Sequence, residues 1–361
     1  MKPRNVAIAC GVAGVAVGLA AATGIVYRKQ IKSAASLKRL TDYADGYDLY
    51  AIDIAYDYDL DRIIAADVRD DQAYIDAVVA QVLPGVPAHV QAPQFACSAF
   101  AAVDAEGRVR TGRNYDFKDD TSALLVRNHP RDGYASIGFA ALNNLSANTP
   151  LDSIAGRAAA LMGPFAQLDG VNECGVSIAV LTLDSKPCDQ DTQRPVINTS
   201  LAIRLVLDRA ATTQEAVDLL SAYDMHAMAG RDYHFFINNA AGDARVVEWD
   251  PRDPNRAFKA TPVRQVTNFY ACYGDKVLPN QKNGELGHGK ERAIAIADVL
   301  DAHAGAQDEA VAWKALRAAA QEPNPEDITS NTQWSVVFDN TEPAAAITLR
   351  RHWGDVDAFA L

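Results

Sequence analysis

Short apolar runs bounded by turn residues dominate the chain after residue 96. They predict strands over residues 123–128, 134–140, 176–183, 233–239, 244–249, 334–338 and 345–350. Links as short as Ala240-Ala-Gly-Asp243 make such runs antiparallel neighbours. Apolar positions at helical spacing gather elsewhere, over 199–211, 290–304 and 308–320. Thr212-Thr-Gln-Glu215 reads as a capping box opening a further helix to Tyr223. Ahead of residue 96 the pattern is helical: Ile63, Ile64, Ala66, Ile75, Val78, Val79 and Val82 recur every three or four residues until Leu83-Pro-Gly85 stops them. Antiparallel strands with helices in pairs predict an α+β layered domain.

One pair of runs brings chemistry with it. Residues 99–103 and 108–111 flank Asp104-Ala-Glu-Gly107, whose glycine can take the positive φ of a tight turn, so residues 95–117 predict a hairpin. Cys97 opens the hairpin, and Arg113 and Asp116 close it. Folding back therefore returns a cation and a carboxylate to the strand end that holds the thiol. Arg113 and Asp116 differ in alternation parity, which puts them on opposite sides of the strand or requires a bulge.

Composition narrows the classes. The chain has 361 residues, 49% hydrophobic and 22% charged, enough for one substantial core. A formal charge of −12, without a basic cluster in the part after residue 96, excludes nucleic acid as a partner. The uncharged run 6–26 has basic flanks and is long enough to span a bilayer, while Ala20-Ala-Ala22 offers a signal-cleavage pattern. Signal peptide and membrane anchor both fit better than a buried soluble helix. The expectation is export or anchoring with the catalytic part outside the cytoplasm, although the basic residues after the run oppose that orientation. The cysteines Cys10, Cys97, Cys174, Cys188 and Cys272 show neither zinc spacing nor a dense disulfide framework.

Further motifs follow in order: Gly112-Arg-Asn-Tyr-Asp-Phe117, Asp169-Gly-Val-Asn172-Glu-Cys-Gly175, the stretch from His234 to Glu248, Val266-Thr-Asn268, Arg292, and Thr332-Gln-Trp-Ser-Val-Val-Phe338. With Cys97, this series resembles the N-terminal-nucleophile hydrolases of the choloylglycine hydrolase and penicillin V acylase family, to which acid ceramidase and the N-acylethanolamine acid amidases are related. The likeness spans residues 97 to about 340, and its specificity lies in the order of the pieces. It implies a four-layer αββα sandwich and a cysteine that becomes the first residue when the chain ahead of it is removed. The organisation expected is 1–32 signal peptide or anchor, 33–96 helical propeptide, and 97–361 the amidohydrolase domain.

The residue chemistry agrees. A cysteine with a free α-amino group carries its own base, with a pKa of about 7.7–8.0. Taken alone, Cys97 would more often be a small buried hydrophobe. Asp116 would hold the amine, or in its bland reading close a turn. The resemblance assigns Arg113 to lowering the thiol pKa and contacting the substrate carbonyl; otherwise it is a surface arginine. Asn172 and Asn268 are candidate oxyanion donors, although both also suit loops. Arg292 matches the fourth polar position of the family. Gly175-Val-Ser177-Ile-Ala179 approximates a nucleophile elbow but lacks the preceding strand and following helix. His226 and His234 have no carboxylate at ligand spacing, and Asp57-Tyr-Asp-Leu-Asp61 lacks the glycine and glutamate of a calcium loop. No metal or other cofactor is expected.

The resulting expectation is an autoprocessed cysteine hydrolase of a small-molecule N-acyl amide, acting through a thioester. A homo-oligomer is compatible with this reading, as is membrane contact through 6–26 if that run is retained. Bile salts, penicillin V and N-acyl amines or amino acids are the substrate choices. Asn172 tilts towards the first, and the long segment ahead of Cys97 towards the last. Phe117, Phe139, Leu142, Phe269, Tyr270 and Tyr273 are the expected acyl-pocket residues. The competing reading is an inactive, membrane-anchored binding protein with an intact bond before Cys97.

Overall fold

The structure is a computed structural model that describes residues 27–84, 96–145, 151, 153–282, 284–324 and 330–361. The run 6–26 lies outside the described residues. Among those described, no helix is long and apolar enough to cross a membrane.

The chain opens with α1 (Arg28–Ser36), β1 (Lys38–Arg39), β2 (Leu49–Ile54), α2 (Leu60–Ile64) and α3 (Asp71–Val82). The central hairpin is β3 (Ala96–Val103) and β4 (Val109–Asp116), followed by β5 (Ala123–Asn128), β6 (Ser136–Ala141), α4 (Ile154–Ala160), β7 (Gln167–Asn172) and β8 (Ser177–Leu183). Next come β9 (Val196–Asn198), α5 (Thr199–Arg209), α6 (Thr213–Ser221), β10 (Asp224–His226), β11 (Asp232–Asn238), β12 (Arg245–Trp249), β13 (Phe258–Pro262) and β14 (Gln265–Val266). Helices α7 (Lys290–Ala302) and α8 (Glu309–Ala319) precede β15 (Thr332–Asp339), β16 (Ala344–Leu349) and β17 (Asp357–Ala360).

A nine-stranded sheet in the order β1-β2-β5-β6-β7-β8-β11-β12-β13 faces a six-stranded sheet, β14-β3-β4-β15-β16-β17. Helices α7 and α8 cover the outside of the smaller sheet, burying Phe100, Ala102 and Val337 against Ile296, Leu300 and Leu316. Helix α5 lies on β7 and β8. Cys97, Ala99 and Tyr115 belong to the larger core shared with the nine-stranded sheet. The expected αββα layering is what the chain builds.

Local chemistry explains the elements that position the site. Gly107 takes φ +81° in the β3–β4 turn, and the Asp104 carboxylate accepts from the backbone N–H groups of Glu106 and Arg108. Thr212 accepts from the Glu215 N–H as expected, while the Glu215 carboxylate reaches one residue further back, to Ala211 N.

The segment 33–96, expected to be helical, is mixed. Leu49–Ile54 is a strand, paired in parallel with Ala123–Asn128. A strand buried on both faces is a near-continuous apolar run without alternation, so its period gives no strand signal. Asp48 accepts through Oδ2 from Arg39 and through Oδ1 from Thr41 and the Tyr43 N–H, and its own N–H donates to Ser122, which ties the segment to the start of β5.

Candidate active site

The hairpin register sets the site. Cys97 lies opposite Tyr115, Ala99 opposite Arg113, and Ala96 opposite Asp116. Side chains of directly opposed residues share a face, so Cys97 and Arg113 point into the inter-sheet core and Asp116 points towards α7 and α8. The parity difference read from the sequence is thus resolved by opposite faces.

On the inner face Arg113 Nη2 lies 3.3 Å from Cys97 Sγ and 3.2 Å from the Val180 carbonyl. The guanidinium sits over the rings of Tyr115 and Trp334, at 5.2 and 5.8 Å from their centroids. Its Nε forms an ion pair with Asp169 Oδ2 at 3.0 Å. Asp169 also accepts from Trp334 Nε1 and the Phe139 N–H. Burial raises the Asp169 carboxyl to about 6, against the pull of Arg113, Trp334 and Phe139. Arg113 is fully buried, and its Nη1 has no hydrogen-bond partner among the described residues. The Thr182 hydroxyl is in the same position.

On the outer face Arg292 gathers the main chain of Cys97. Its Nη1 donates to the Cys97 carbonyl at 3.0 Å and to Asp116 Oδ2 at 3.2 Å, and its Nη2 donates to Asn268 Oδ1 at 2.7 Å. The same Asn268 oxygen accepts the Cys97 N–H at 3.1 Å, and its Nδ2 donates to the Thr182 carbonyl at 2.9 Å. Asp116 accepts further from Thr332 Oγ1 at 2.6 Å and Gln321 Nε2 at 2.8 Å. Burial raises its pKa, opposed by Arg292, Thr332, Gln321 and Arg113. Gly289 precedes α7 at φ +79°, and a Cβ there would meet Arg292 Nη2 at 2.5 Å, so glycine makes room for the guanidinium.

Burial pushes Cys97 up to about 12; Arg113 lowers it, and the charge of Asp116 adds to the rise. Ala96 and Cys97 are both fully buried.

Of the six residues expected here, five converge: Cys97, Arg113, Asp116, Asn268 and Arg292. Asn172 does not. At the end of β7 its Oδ1 accepts from the backbone N–H groups of Cys174 and Val176, and its Nδ2 donates to the Leu207 and Ala210 carbonyls at the end of α5. With its amide spent on a turn and a helix end, it is a structural clasp, and the oxyanion role expected of it is corrected. Of the expected acyl-pocket residues, Phe117 is half-buried and stacks on Tyr115. Phe139, Leu142 and Tyr270 are fully buried core residues, and Phe269 is nearly so. Tyr273 is spent on Asp250. Asp169, Thr332 and Trp334 stand inside motifs quoted above, but their roles went unread; Thr182 carries no sequence signal.

His234 is fully buried against Glu248, at 3.3 Å from Nδ1 to Oε2. Glu248 in turn accepts from the Ala271 and Cys272 backbone N–H groups. No cluster able to hold a metal occurs among the described residues.

Two facing sheets between helical layers, with a cysteine at the end of a central strand, define the N-terminal-nucleophile hydrolase architecture. A family model described as acyl-coenzyme A:6-aminopenicillanic acid acyl-transferase matches residues 103–352, and the chain belongs to that family. Solved structures agree on the fold. Penicillin V acylase from Agrobacterium tumefaciens is 20% identical with a TM-score of 0.52, over 73% of this chain and 86% of that one. A mutant of conjugated bile acid hydrolase from Clostridium perfringens is 15% identical with a TM-score of 0.56, over 73% of this chain and 92% of that one. No curated protein matches the sequence.

Proposed function

We propose that this protein is a self-cleaving cysteine hydrolase of linear amides in N-acyl compounds. The observation that carries the reading is the Arg113 guanidinium at 3.3 Å from Cys97 Sγ, while the main chain of the same cysteine is held at N by Asn268 and at O by Arg292. A merely structural cysteine needs no such attention.

In maturation, Sγ attacks the Ala96 carbonyl carbon, the Ala96–Cys97 C–N bond breaks, and the departing nitrogen takes the thiol proton to become the α-amino group. Water then hydrolyses the resulting thioester, leaving a carboxylate on Ala96 and a free thiol. In turnover, the α-amino group accepts the thiol proton as sulfur attacks the acyl carbon, and it returns that proton to the leaving amine. Arg113 stabilises sulfur as thiolate, and Asn268 donates N–H to the oxyanion. Asp116, at the level of the new terminus, holds the amine. Water releases the acid from the acyl-enzyme. The family description favours a second fate for the same thioester, capture by an amine acceptor, which conserves every step up to deacylation.

The test is the mass of the purified protein with an activity assay on N-acyl p-nitroanilides. A new terminus at Cys97 together with p-nitroaniline release supports the proposal. An intact bond, or a Cys97→Ala variant cut like the parent, would sink it and favour a binding protein. Hydroxamate formed when hydroxylamine is added reports the transfer branch.

A further inference from the structure

Asn268 reaches Cys97 from the stretch after β14, where residues 268–270 lie along 286–288. The His288 N–H donates to the Asn268 carbonyl at 2.9 Å, the Tyr270 N–H donates to the Leu286 carbonyl at 3.0 Å, and Phe269 and Gly287 form an antiparallel bridge between them. Gly287 is at φ +101°, and a Cβ there would meet the Asn268 carbonyl oxygen at 2.1 Å, so the close approach needs glycine. The second stretch has an anchor of its own. His288 Nδ1 donates to Asp184 Oδ2 at 2.7 Å, and Asp184 Oδ1 accepts from Arg231 Nη1 at 3.1 Å. Asp184 stands two residues past Thr182, whose carbonyl accepts from Asn268 Nδ2 at 2.9 Å. A ring of contacts therefore closes through the end of β8, entering Asn268 once by its side chain and once by its main chain. We propose that Asp184 and His288 are positioning residues of the Cys97 site, acting through Asn268. The inference rests on the oxyanion role proposed for Asn268 for its effect on turnover, but not for the clamp.

The clamp matters because an amide is planar. Asn268 Nδ2 has two N–H groups, one spent on Thr182 and one left for an oxyanion, and the direction of the first fixes that of the second. Holding the Asn268 main chain to the same end of β8 leaves the amide no freedom to turn away. The His288 ring is nearly buried and its Nε2 has no partner among the described residues, so Asp184 is its polar attachment. On its C-terminal side the stretch is held independently, by the Glu248 carboxylate on the N–H groups of Ala271 and Cys272. Removing the His288 side chain should therefore loosen Asn268 without unfolding the loop, and a misplacement of about 1 Å in a reacting group costs on the order of 10²-fold.

The experiment is a double-mutant cycle on N-acyl p-nitroanilides. His288→Ala should lower kcat about ten- to hundredfold with KM within about twofold of the parent. The same change made in Asn268→Ala should cost less than about threefold, because the group it positions is already gone. His288→Asn, whose Nδ2 can stand where Nδ1 stood, should keep kcat within about threefold of the parent. Parent-like kcat in His288→Ala, full additivity with Asn268→Ala, or a His288→Asn variant as slow as His288→Ala would each overturn the assignment. Should His288→Ala fail to fold, Asp184→Ala runs the same cycle from the other end of the pair, with the same expected losses. If the parent cleaves no p-nitroanilide, the hydrolase reading fails, and hydrogen exchange in the uncut chain still reads the clamp. Peptides spanning 265–272 should then exchange faster in His288→Ala than in the parent or His288→Asn; equal exchange in all three overturns the inference.

Discussion

On the inter-sheet face of the strand end, Cys97 meets a guanidinium framed by two aromatic rings and held by one carboxylate. One residue along, on the helix face, Asp116, Arg292, Asn268, Thr332 and Gln321 form a dense polar net whose contacts with the cysteine go to its main chain. The inner face tunes the sulfur. The outer face holds the main-chain N–H and carbonyl of Cys97. A β-strand makes this division possible, because successive side chains leave on opposite sides and one strand can serve two environments of different polarity.

The comparison can be broken at Arg292. Arg292→Met removes the cation nearest Asp116 and the donor to the Cys97 carbonyl. Leaving a buried carboxylate without its ion-pair partner should cost ~3–5 kcal/mol in urea unfolding and abolish processing. A variant that melts like the parent would mean that the outer net is dispensable.

Asn268→Ala keeps the inner face and removes the proposed oxyanion donor. Turnover of correctly folded enzyme should fall by about 10²–10³. Single-turnover acylation measured on the processed form checks this.

Asp169→Asn reaches the thiol only through Arg113. The Asp169 carboxyl is raised to about 6, so its charge is lost as pH falls through that value and the hold on Arg113 goes with it. The parent should therefore show an acid limb in kcat/KM near pH 6. Asp169→Asn, uncharged throughout, should be slower at pH 8 and lack that limb. An identical limb in the variant would assign the titration elsewhere.

The smallest effect on turnover belongs to Asn172→Ala. It lies on neither face, so kcat should stay within about threefold of the parent while stability drops by ~1–3 kcal/mol, because buried carbonyls and N–H groups lose their partner. A large loss of kcat with normal melting would restore Asn172 to the site.

The hairpin was legible in the sequence because turn chemistry and spacing fix its register, and register alone brings Cys97, Arg113 and Asp116 together. Asn268 and Arg292 were legible only by likeness, since nothing local distinguishes them from loop and helix-surface residues. Asn172 misled because the donors that would suit an oxyanion are the same atoms that clasp a turn. β2 was invisible because a parallel strand buried on both faces has no period.

The parallel pairing of β2 with β5 changes what a cut before Cys97 means for the life of the protein. Residues 49–54 supply a strand to the larger sheet, and Tyr56, Leu60 and Ile63 share its core. While the chain is whole, the two pieces find each other at the effective concentration set by a short tether. The proposed cut would remove that tether and make reassembly a bimolecular encounter between two incomplete fragments. Folding would then happen once, before maturation, and the mature form would endure by the slowness of its unfolding rather than by its ability to refold. Its inactivation by heat or urea should therefore be irreversible at high dilution, although the uncut precursor recovers.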